Sequence, residues 1–369
     1  MNNLNIYDII IENVTKELSF SMNKNNKNIS SNRIWETPQY TRKQINRAGK
    51  IIANKSDHSE EEYQQAVKIL NNWRASHAYP LHVITCGLRN KFPGALVVQR
   101  IKRLESISGK VERFPEMELY KMQDLGGCRV IVDNIEQVYE VANKYKNSRI
   151  RHILKRTYDY IENPKTSGYR CLHCVYQFQS DSSDIYNTNM LIEVQFRTKL
   201  QHTWATAVEM MGIYTKSNLK SSQGNKDILR FFLLVSSVFA TFENTNICPN
   251  TSNNIKEIID EIRILDRKYN IISILSGLTV SIDYSEKKKF GKNIYYLLIL
   301  DYAKKVVTVR TFPTNKLEIA TKAYGEIEKK TNKDVVLVSA NSFDAVRMAY
   351  PNYFVDISNF VDMMREILK

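Results

Sequence analysis

The chain has 369 residues, of which 43% are hydrophobic, and its formal net charge at pH 7 is +14. A chain of this length can bury more than one hydrophobic core, so we expect two domains. Its longest apolar run, at 231–240, is too short to cross a bilayer, and its polar N-terminus lacks a signal-peptide pattern. These features argue against a membrane protein and predict a cytoplasmic location. The excess of Lys and Arg favours a polyanionic partner, although charge that serves only solubility would give the same balance.

The first 90 residues are predicted to be mainly helical. A capping box at Ser59 and Glu62 begins a helix whose apolar residues recur at helical spacing. An earlier predicted helix carries a basic cluster, which consists of Arg42, Lys43, Arg47 and Lys50. A second basic cluster stands further along the chain and consists of Arg149, Arg151, Lys155 and Arg156. Clustering of this kind favours an anionic partner over an evenly solvated surface.

Short apolar runs rich in β-branched residues follow the helical region, and they predict an α+β or α/β catalytic domain. The predicted strands are at 128–132, 172–178 and 191–196. Beyond them we expect a helix at 201–242, a polar loop at 243–254 and a further helix at 255–275. From about residue 276 the alternation predicts a second, small α/β module with strands at 295–300, 306–311 and 335–339 and helices at 316–330 and up to 368.

A basic loop at 163–173 reads Asn-Pro-Lys-Thr-Ser-Gly-Tyr-Arg-Cys-Leu-His and runs directly into a predicted strand. Pro164 and Gly168 interrupt regular structure on either side of Lys165. Tyr169 offers a ring for stacking and Arg170 a fork for phosphate. The layout is typical of a nucleotide-binding loop, but it is weak evidence on its own.

Five cations lie between residues 100 and 113, namely Arg100, Lys102, Arg103, Lys110 and Arg113. Their spacing is helical and could direct several of them at one anion. Lys supplies a point charge and Arg a bidentate fork, a combination that suits a polyphosphate. A solvated basic helix is the alternative, and it is the better explanation when this segment is considered alone.

Two carboxylates complete the predicted site. Asp124 directly precedes a buried strand, and the alternation at 191–198 places Glu193, Gln195 and Arg197 on the polar face of another strand. His173 lies on the polar face of its own strand. Two carboxylates could share a Mg²⁺ ion, which prefers oxygen ligands and often bridges phosphates. Together with the basic segment they indicate phosphoryl or pyrophosphoryl transfer.

Four motifs in this order resemble the RelA/SpoT nucleotidyltransferase (alarmone synthetase) domain over roughly residues 70–215. They are Arg-x-Lys-x-x-x-Ser-Ile-x-x-Lys from Arg100, Asp-Leu-Gly-Gly-Cys-Arg from Asp124, Asn-Pro-Lys-x-x-Gly-Tyr-Arg-x-Leu-His from Asn163 and Glu-Val-Gln-Phe-Arg-Thr from Glu193. The resemblance implies an α+β fold in which helices flank a mixed sheet. No segment resembles the hydrolase half of the long bifunctional members, so we expect synthesis only.

The resemblance also implies roles for individual residues. ATP would be held by Arg100, Lys102 and Lys110, with Arg113 as a further phosphate ligand. Asp124 would bind Mg²⁺, and Glu193 would complete the metal site or act as general base on the ribose 3′-hydroxyl of the acceptor. Tyr169 would stack on the acceptor base, supported by His173, Arg197 and Lys165. The hydroxyl would attack the β-phosphate of ATP, and AMP would leave.

Over nearly its whole length the chain resembles fused toxin–antitoxin members of the CapRel type. This resemblance implies that the acceptor is the 3′-CCA end of tRNA, with Arg42, Lys43 and Arg47 as candidate RNA contacts. Residues 1–275 would form the toxin domain and residues 276–369 an antitoxin-like module related to a zinc finger without zinc. That module has neither Cys nor His. It would block ATP binding through Tyr350 and Tyr353 until a phage protein, such as a capsid subunit, released it.

Two other functions stay open. The first is a small alarmone synthetase that makes guanosine or adenosine tetra- or pentaphosphates from ATP and a purine nucleotide. The second is a catalytically inert RNA-binding or oligomerising regulator. The choice of acceptor separates the first from a tRNA-modifying toxin, and the intact motifs argue against the second.

Overall fold

The computed structural model describes residues 35–217, 219, 222–277, 281–283, 294–301, 306–313, 316–328, 333–340, 346 and 357–369. In chain order the strands are β1 Leu96–Ile101, β2 Gly126–Val132, β3 Ile153–Asp159, β4 Leu172–Gln177, β5 Leu191–Thr198, β6 Ser281–Asp283, β7 Ile294–Asp301, β8 Val306–Pro313 and β9 Lys333–Ala340. The α-helices are α1 Arg42–Ala53, α2 Glu60–Ser76, α3 Ala78–Lys91, α4 Leu104–Arg113, α5 Ile135–Lys146, α6 Lys199–Tyr214, α7 Lys226–Phe242, α8 Ile255–Tyr269, α9 Ile271–Gly277, α10 Leu317–Glu328 and α11 Ser358–Ile367.

All the described strands belong to one mixed sheet with the order β3-β4-β5-β2-β1-β9-β7-β8-β6. Strands β2 and β5 pair in parallel, as do β6 and β8, and the other neighbours are antiparallel. Helices pack against this sheet. The expected α+β class with a mixed sheet and flanking helices is therefore confirmed.

The segment that carries the predicted ATP ligands is not one helix. Arg100 lies in β1, and α4 begins only at Leu104. Val97, Val98 and Gln99 are buried in succession, which suits an extended strand inside the sheet, and this tertiary setting overrides the helical spacing of the cations. The basic residues consequently approach the site from a strand and from a helix.

Two predicted helices are each interrupted in the structure. The one expected at 201–242 breaks between α6 and α7, where Lys216, Ser222 and Gly224 have positive φ angles. The one expected at 255–275 breaks at Asn270, which has a φ of 52° and ends α8 in the left-handed conformation. Asn adopts this conformation more readily than most residues, and the apolar periodicity continues across the break, so periodicity alone could not find it.

The apolar run at 231–240 forms the buried middle of α7. It packs in a helical core with α6, α8 and α9, and Phe360 and Met364 of α11 join the same core. Within the part of the chain that the structure describes, no helix is both long enough and apolar enough to span a bilayer. The end of the chain therefore folds back onto the helices that follow the predicted catalytic strands.

The C-terminal strands continue the sheet of the N-terminal part. Strand β9 pairs with β1 through Gln99 with Ser339 and Arg100 with Val338. Val98 of β1 shares an apolar cluster with residues of β7, β8 and β9. The boundary proposed at residue 275 stays a prediction, as does the likeness of the C-terminal module to a zinc finger. Tyr350 and Tyr353 lie outside the described residues.

His77 gives this fold a predictable dependence on pH. Its imidazole is 1% exposed, and its Nδ1 atom lies 2.7 Å from the carbonyl oxygen of Trp73. Burial lowers the pKa of His77 from 6.5 to about 4, although the backbone hydrogen bond opposes the shift. In the unfolded chain His77 takes up its proton at a higher pH than in the folded chain. The contribution of neutral His77 to the free energy of unfolding is therefore complete above pH 6.5 and is lost as the pH falls toward 4. We expect the loss to be about 3 kcal/mol.

Urea unfolding at several pH values between 7 and 4 measures this effect. His77→Asn, which cannot titrate, should show a flatter dependence of unfolding free energy on pH than the unmodified chain. His58→Gln is the control, because His58 lies at the surface beside Glu62. Parallel curves for His77→Asn and the unmodified chain would contradict the assignment.

Candidate active site

The floor of the candidate site is one transverse row of the sheet. Arg100 on β1 is the register partner of Gly127 on β2, which is the partner of Glu193 on β5. Adjacent strands lie about 4.8 Å apart, so the Cα atoms of Arg100 and Glu193 are about 10 Å from each other. A Cβ atom on Gly127 would meet only the carbonyl oxygen of Arg100, at 3.9 Å. The glycine thus leaves an open recess between the cation and the carboxylate, and both side chains line it.

Asp124 holds two lysines at one end of this recess. Lys102 Nζ donates to Oδ2 and Lys110 Nζ to Oδ1, each at 2.9 Å. Burial opposes ionisation of the carboxyl group, but the two ammonium groups outweigh it and keep the pKa of Asp124 well below its usual range. Burial also lowers the pKa of Lys102. The structure therefore brings two predicted ATP ligands to the predicted metal ligand.

Asp124 and Glu193 offer the oxygen ligands that Mg²⁺ prefers, and both line the same cavity. The described residues contain no group of three His, Cys, Asp or Glu side chains placed to hold a metal. An ion bound by these two carboxylates would take its other ligands from water and substrate phosphates, as Mg²⁺ commonly does. The donor set fits Mg²⁺, provided that the ion displaces a lysine from Asp124.

A chain of hydrogen bonds links three of the predicted acceptor-side residues. The Tyr169 hydroxyl lies 2.8 Å from His173 Nε2, and His173 Nδ1 lies 2.9 Å from Glu193 Oε1. Gln195 donates to the other oxygen of Glu193 at 2.6 Å. Burial opposes ionisation of Glu193, but the contacts with His173 outweigh it and lower its pKa. Glu193 is therefore ionised at neutral pH and fixed in orientation.

These groups line a cavity of about 430 Å³ that opens to solvent. Its polar lining includes Lys110, Gln123, Asp124, Lys165, His173, Glu193 and Gln195, and its aromatic lining includes Tyr158, Tyr160, Tyr169, Trp204 and Phe232. The Lys165 ammonium lies 4.1 Å from the centre of the Tyr160 ring and 5.5 Å from that of Tyr169. The cavity thus has a charged end at Asp124 and an aromatic end at Tyr169.

Arg170 does not offer its guanidinium to a ligand, and that prediction was wrong. The side chain is 3% exposed and forms a salt bridge with Glu243 on the segment after α7. Glu243 also accepts hydrogen bonds from Thr198 and Gln201. Arg170 belongs to this buried network because the loop crosses the helical core at that point. A local sequence pattern cannot reveal such a crossing. Its role is to anchor the Tyr169 loop.

Gly168 explains how the loop passes so close to that core. Its φ is +87°, and a Cβ atom there would lie 3.0 Å from Trp204 and 3.1 Å from the backbone of Leu233. The Ser236 hydroxyl donates to the Gly168 carbonyl oxygen at 2.6 Å. Only glycine meets both the backbone and the space requirement without strain.

Two of the predicted site residues, Arg100 and Lys102, line the smaller recess and not this cavity, and five others line neither. Arg113, the last residue of α4, is exposed. Arg197 is buried beside His202, and burial lowers its pKa to about 9. Arg42, Lys43 and Arg47 lie on the exposed face of α1, where Arg42 pairs with Glu118 at 2.6 Å. These residues sit around the cavity rather than in it, and their proposed roles remain predictions.

Four aromatic residues that line the cavity were not predicted as site residues, namely Tyr158, Tyr160, Trp204 and Phe232. Tyr158 and Tyr160 line the cavity from the end of β3 and the turn after it. Their spacing of two on a strand that leads into the loop was the available signal, because such residues share one face of a strand. The basic cluster just before Tyr158 is the more prominent feature of this segment, and it indicates charge and not stacking.

Comparison with known proteins finds similarity to this segment of the chain. Residues 99–219 match the family model described as a region found in RelA / SpoT proteins. GTP pyrophosphokinase YwaC from Bacillus subtilis is 32% identical over 125 residues, which are 32% of this chain and 57% of that protein. GTP pyrophosphokinase from Haemophilus influenzae is 26% identical over 146 residues, which are 38% of this chain and 18% of that protein. The chain thus spans little more than half of the first relative and less of the second.

A solved structure shows a likeness as well. The crystal structure of small alarmone synthetase 1 from Bacillus subtilis bound to its product pppGpp is 23% identical, covers 45% of this chain and 90% of that chain, and has a TM-score of 0.38. The match to the family model contains Arg100, Asp124, Tyr169 and Glu193. The segment that builds the candidate site is thus similar to the region found in RelA / SpoT proteins.

Proposed function

We propose that this chain transfers the pyrophosphoryl group of ATP to a ribose 3′-hydroxyl. The observation that carries the proposal is a cavity with Lys110 and Asp124 at one end and Tyr169, His173 and Glu193 at the other. Arg100 and Lys102 line the recess that shares Asp124 and Glu193 with this cavity, and Lys102 also donates to Asp124. The first group suits a polyphosphate, and the second suits a nucleoside whose hydroxyl must lose a proton. The names of the curated relatives, GTP pyrophosphokinases, support the same reaction type.

In this mechanism Arg100, Lys102 and Lys110 bind the triphosphate of ATP and neutralise its charge. The ionised Glu193, oriented by His173 and Gln195, accepts the proton of the 3′-hydroxyl. The hydroxyl oxygen forms a bond to the β-phosphorus while the bond from that phosphorus to the α,β-bridging oxygen breaks, and AMP leaves with that oxygen. Mg²⁺ held by Asp124 would supply further positive charge to the phosphates when Glu193 acts as the base. Catalysis rests on positioning and charge, as is usual for phosphoryl transfer.

For the acceptor we propose the 3′-CCA end of tRNA, in the cytoplasm, where its modification would stop translation. The net charge of +14 and the exposed Arg42, Lys43 and Arg47 on α1 support an RNA partner. The alternative acceptor is a purine nucleotide, as in a small alarmone synthetase, and the names of the relatives support that alternative.

We further propose that the C-terminal residues restrain the enzyme as a fused antitoxin and that a phage protein, such as a capsid subunit, releases them. Glu328 at the end of α10 forms a salt bridge with the buried Arg74 at 2.7 Å and accepts the backbone N–H of Leu104 at 2.9 Å. Leu104 is the first residue of α4, which carries Lys110. Strand β9 lies directly beside Arg100. A regulator that moved α10 and β9 would therefore act on the ATP end of the cavity.

Transfer of label from γ-³²P-ATP by the full chain tests the reaction and the acceptor together. One reaction contains both deacylated tRNA and GDP, and a parallel one contains tRNA that lacks its 3′-terminal adenosine. We expect label on intact tRNA and none on the shortened tRNA. Label on GDP alone would establish the alarmone synthetase. No label on either acceptor, from the full chain and also from its Glu328→Gln variant, in which the proposed restraint is weakened, would contradict pyrophosphate transfer.

Glu328→Gln tests the restraint in the same assay. The change weakens the contact of α10 with Arg74 and with the start of α4, so the rate of label transfer should rise several-fold. Glu326→Gln is the matched control, because Glu326 is exposed on the same helix. Equal rates for the two variants and the unmodified chain would contradict a restraint through α10.

A further inference from the structure

An aromatic wall leads from the acceptor end of the cavity to the edge of the sheet. It consists of Tyr169, Tyr160 and Tyr158, all of which line the cavity. The rings of Tyr158 and Tyr160 are nearly parallel, with an interplanar angle of 3° and centroids 5.9 Å apart. The ring of Tyr169 lies 6.1 Å from that of Tyr160 at 64°. The wall begins at Tyr169, the ring proposed to stack on the acceptor base. With Tyr160 and Tyr158 it is longer than one base requires.

Cations accompany this wall on the side of β3, which is an edge strand of the sheet. Arg156 and Lys165 are exposed. Arg156 Nη1 donates to the Tyr158 hydroxyl at 3.3 Å, and Lys165 lies over the Tyr160 ring. Aromatic rings that alternate with cations on one exposed surface match the composition of sites for single-stranded nucleic acid.

The register of β3 directs Arg156 toward the candidate site. The pairing with β4 shifts between Leu154 and Arg156, so that Arg156 comes opposite Val175. Val175 is in turn opposite Glu193 on β5. Arg156 therefore belongs to the same transverse row as Glu193, with about 10 Å between their Cα atoms. At that separation Arg156 is too far from Glu193 to bind a phosphate at the reacting hydroxyl. It suits a phosphate further along an RNA strand.

We propose that Tyr158, Tyr160, Arg156 and Lys165 form a subsite for the nucleotides that precede the acceptor nucleotide at a single-stranded RNA 3′ end. The inference rests on the proposed transfer to a 3′-hydroxyl and extends it. The terminal base stacks on Tyr169, the preceding base stacks on the wall at Tyr160 and Tyr158, and Arg156 and Lys165 bind the phosphates between them. A free mononucleotide fills only the Tyr169 end.

Calorimetric titration of the full chain saturated with a non-hydrolysable ATP analogue, using the ribotrinucleotide CCA and adenosine 5′-monophosphate, tests the subsite, because the analogue keeps the mononucleotide out of the ATP side. Stacking of one base is worth about 1–3 kcal/mol, so Tyr158→Ala should raise the Kd of CCA about tenfold or more and leave that of the mononucleotide within about twofold. Tyr158→Phe keeps the ring and should retain the affinity. Arg156→Glu should weaken CCA most at low salt, whereas Lys144→Glu, an exposed change on α5, should not.

Equal weakening of CCA and mononucleotide by Tyr158→Ala would overturn the subsite, because the ring would then serve the acceptor base itself. Failure of the unmodified chain to bind CCA more tightly than the mononucleotide would overturn it too. The two proposals fail separately. If the chain labels tRNA and Tyr158→Ala leaves the affinity for CCA unchanged, only the subsite proposal is wrong. If CCA binding depends on Tyr158 but the chain labels only GDP, only the proposal of tRNA as acceptor is wrong.

Discussion

Glu193→Gln is expected to lower the rate of pyrophosphate transfer by about 10²–10⁴-fold, the usual contribution of a general base. The amide retains the size of the side chain and can still bond to His173, but it cannot accept a proton from the 3′-hydroxyl. The neighbouring Gln195 already donates to one oxygen of Glu193, so the substitution also places two amides together. The fold should persist, because Glu193 projects from the face of β5 opposite the buried Ile192 and Val194.

The measurement is kcat with saturating ATP and acceptor, together with the Kd of a non-hydrolysable ATP analogue. We expect kcat to fall steeply while the affinity for the analogue changes by less than about fivefold, because the proposed phosphate ligands are Arg100, Lys102 and Lys110. Glu162→Gln is the control, since Glu162 is an exposed carboxylate on the same loop side of the sheet. A kcat within fivefold of the unmodified chain would mean that Glu193 is not the base.

Arg170→Ala should be the most destabilising single change outside the apolar core, with a loss of about 3–5 kcal/mol in the free energy of unfolding. It leaves the Glu243 carboxylate buried without its cation, while Thr198 and Gln201 still donate to that carboxylate. The side chains of Arg170 and Glu243 are 2% and 5% exposed, so solvent does not compensate the loss.

Urea unfolding separates the buried pair from an ordinary surface pair. Arg230→Ala breaks the pair with Glu261, whose side chains are 30% and 41% exposed, and should cost no more than about 1 kcal/mol. The double change Arg170→Leu with Glu243→Leu should recover part of the stability, because no unpaired charge remains. If Arg170→Ala and Arg230→Ala cost the same, the Arg170 network does not anchor the loop.

Strands β2, β4 and β5 and the polar face of β5 could be predicted because their signals are local. Alternation between residues 191 and 196 placed Glu193 and Gln195 opposite the buried Ile192 and Val194, and the structure agrees. The capping box at Ser59 and Glu62 is likewise contained in four residues, and it begins α2. Patterns with a period of two or three to four residues suffice for features of this kind.

The features that could not be predicted depend on contacts between distant parts of the chain. The sequence around Arg170 predicts a phosphate ligand, but the partner of Arg170 in the structure is Glu243, 73 residues later. The pairing of β9 with β1 and the contact of Glu328 with Arg74 join residues more than 200 positions apart. The sequences around β1 and around Arg74 do not specify these partners, because many other strands could pair with β1 and many other acidic residues could pair with Arg74.

The place of β9 beside β1 has a consequence for the order of synthesis. Strands β1 to β5 are complete well before β9, which begins 232 residues after β1 ends. At about 5–20 residues per second, a ribosome needs on the order of ten to fifty seconds to supply that partner. During this interval the edge of β1 next to Arg100 has free backbone donors and acceptors, which can recruit a strand from another nascent chain. Slow translation of the last third of the gene would therefore raise the risk of aggregation and lengthen the time for which the ATP end of the cavity lacks its neighbouring strand.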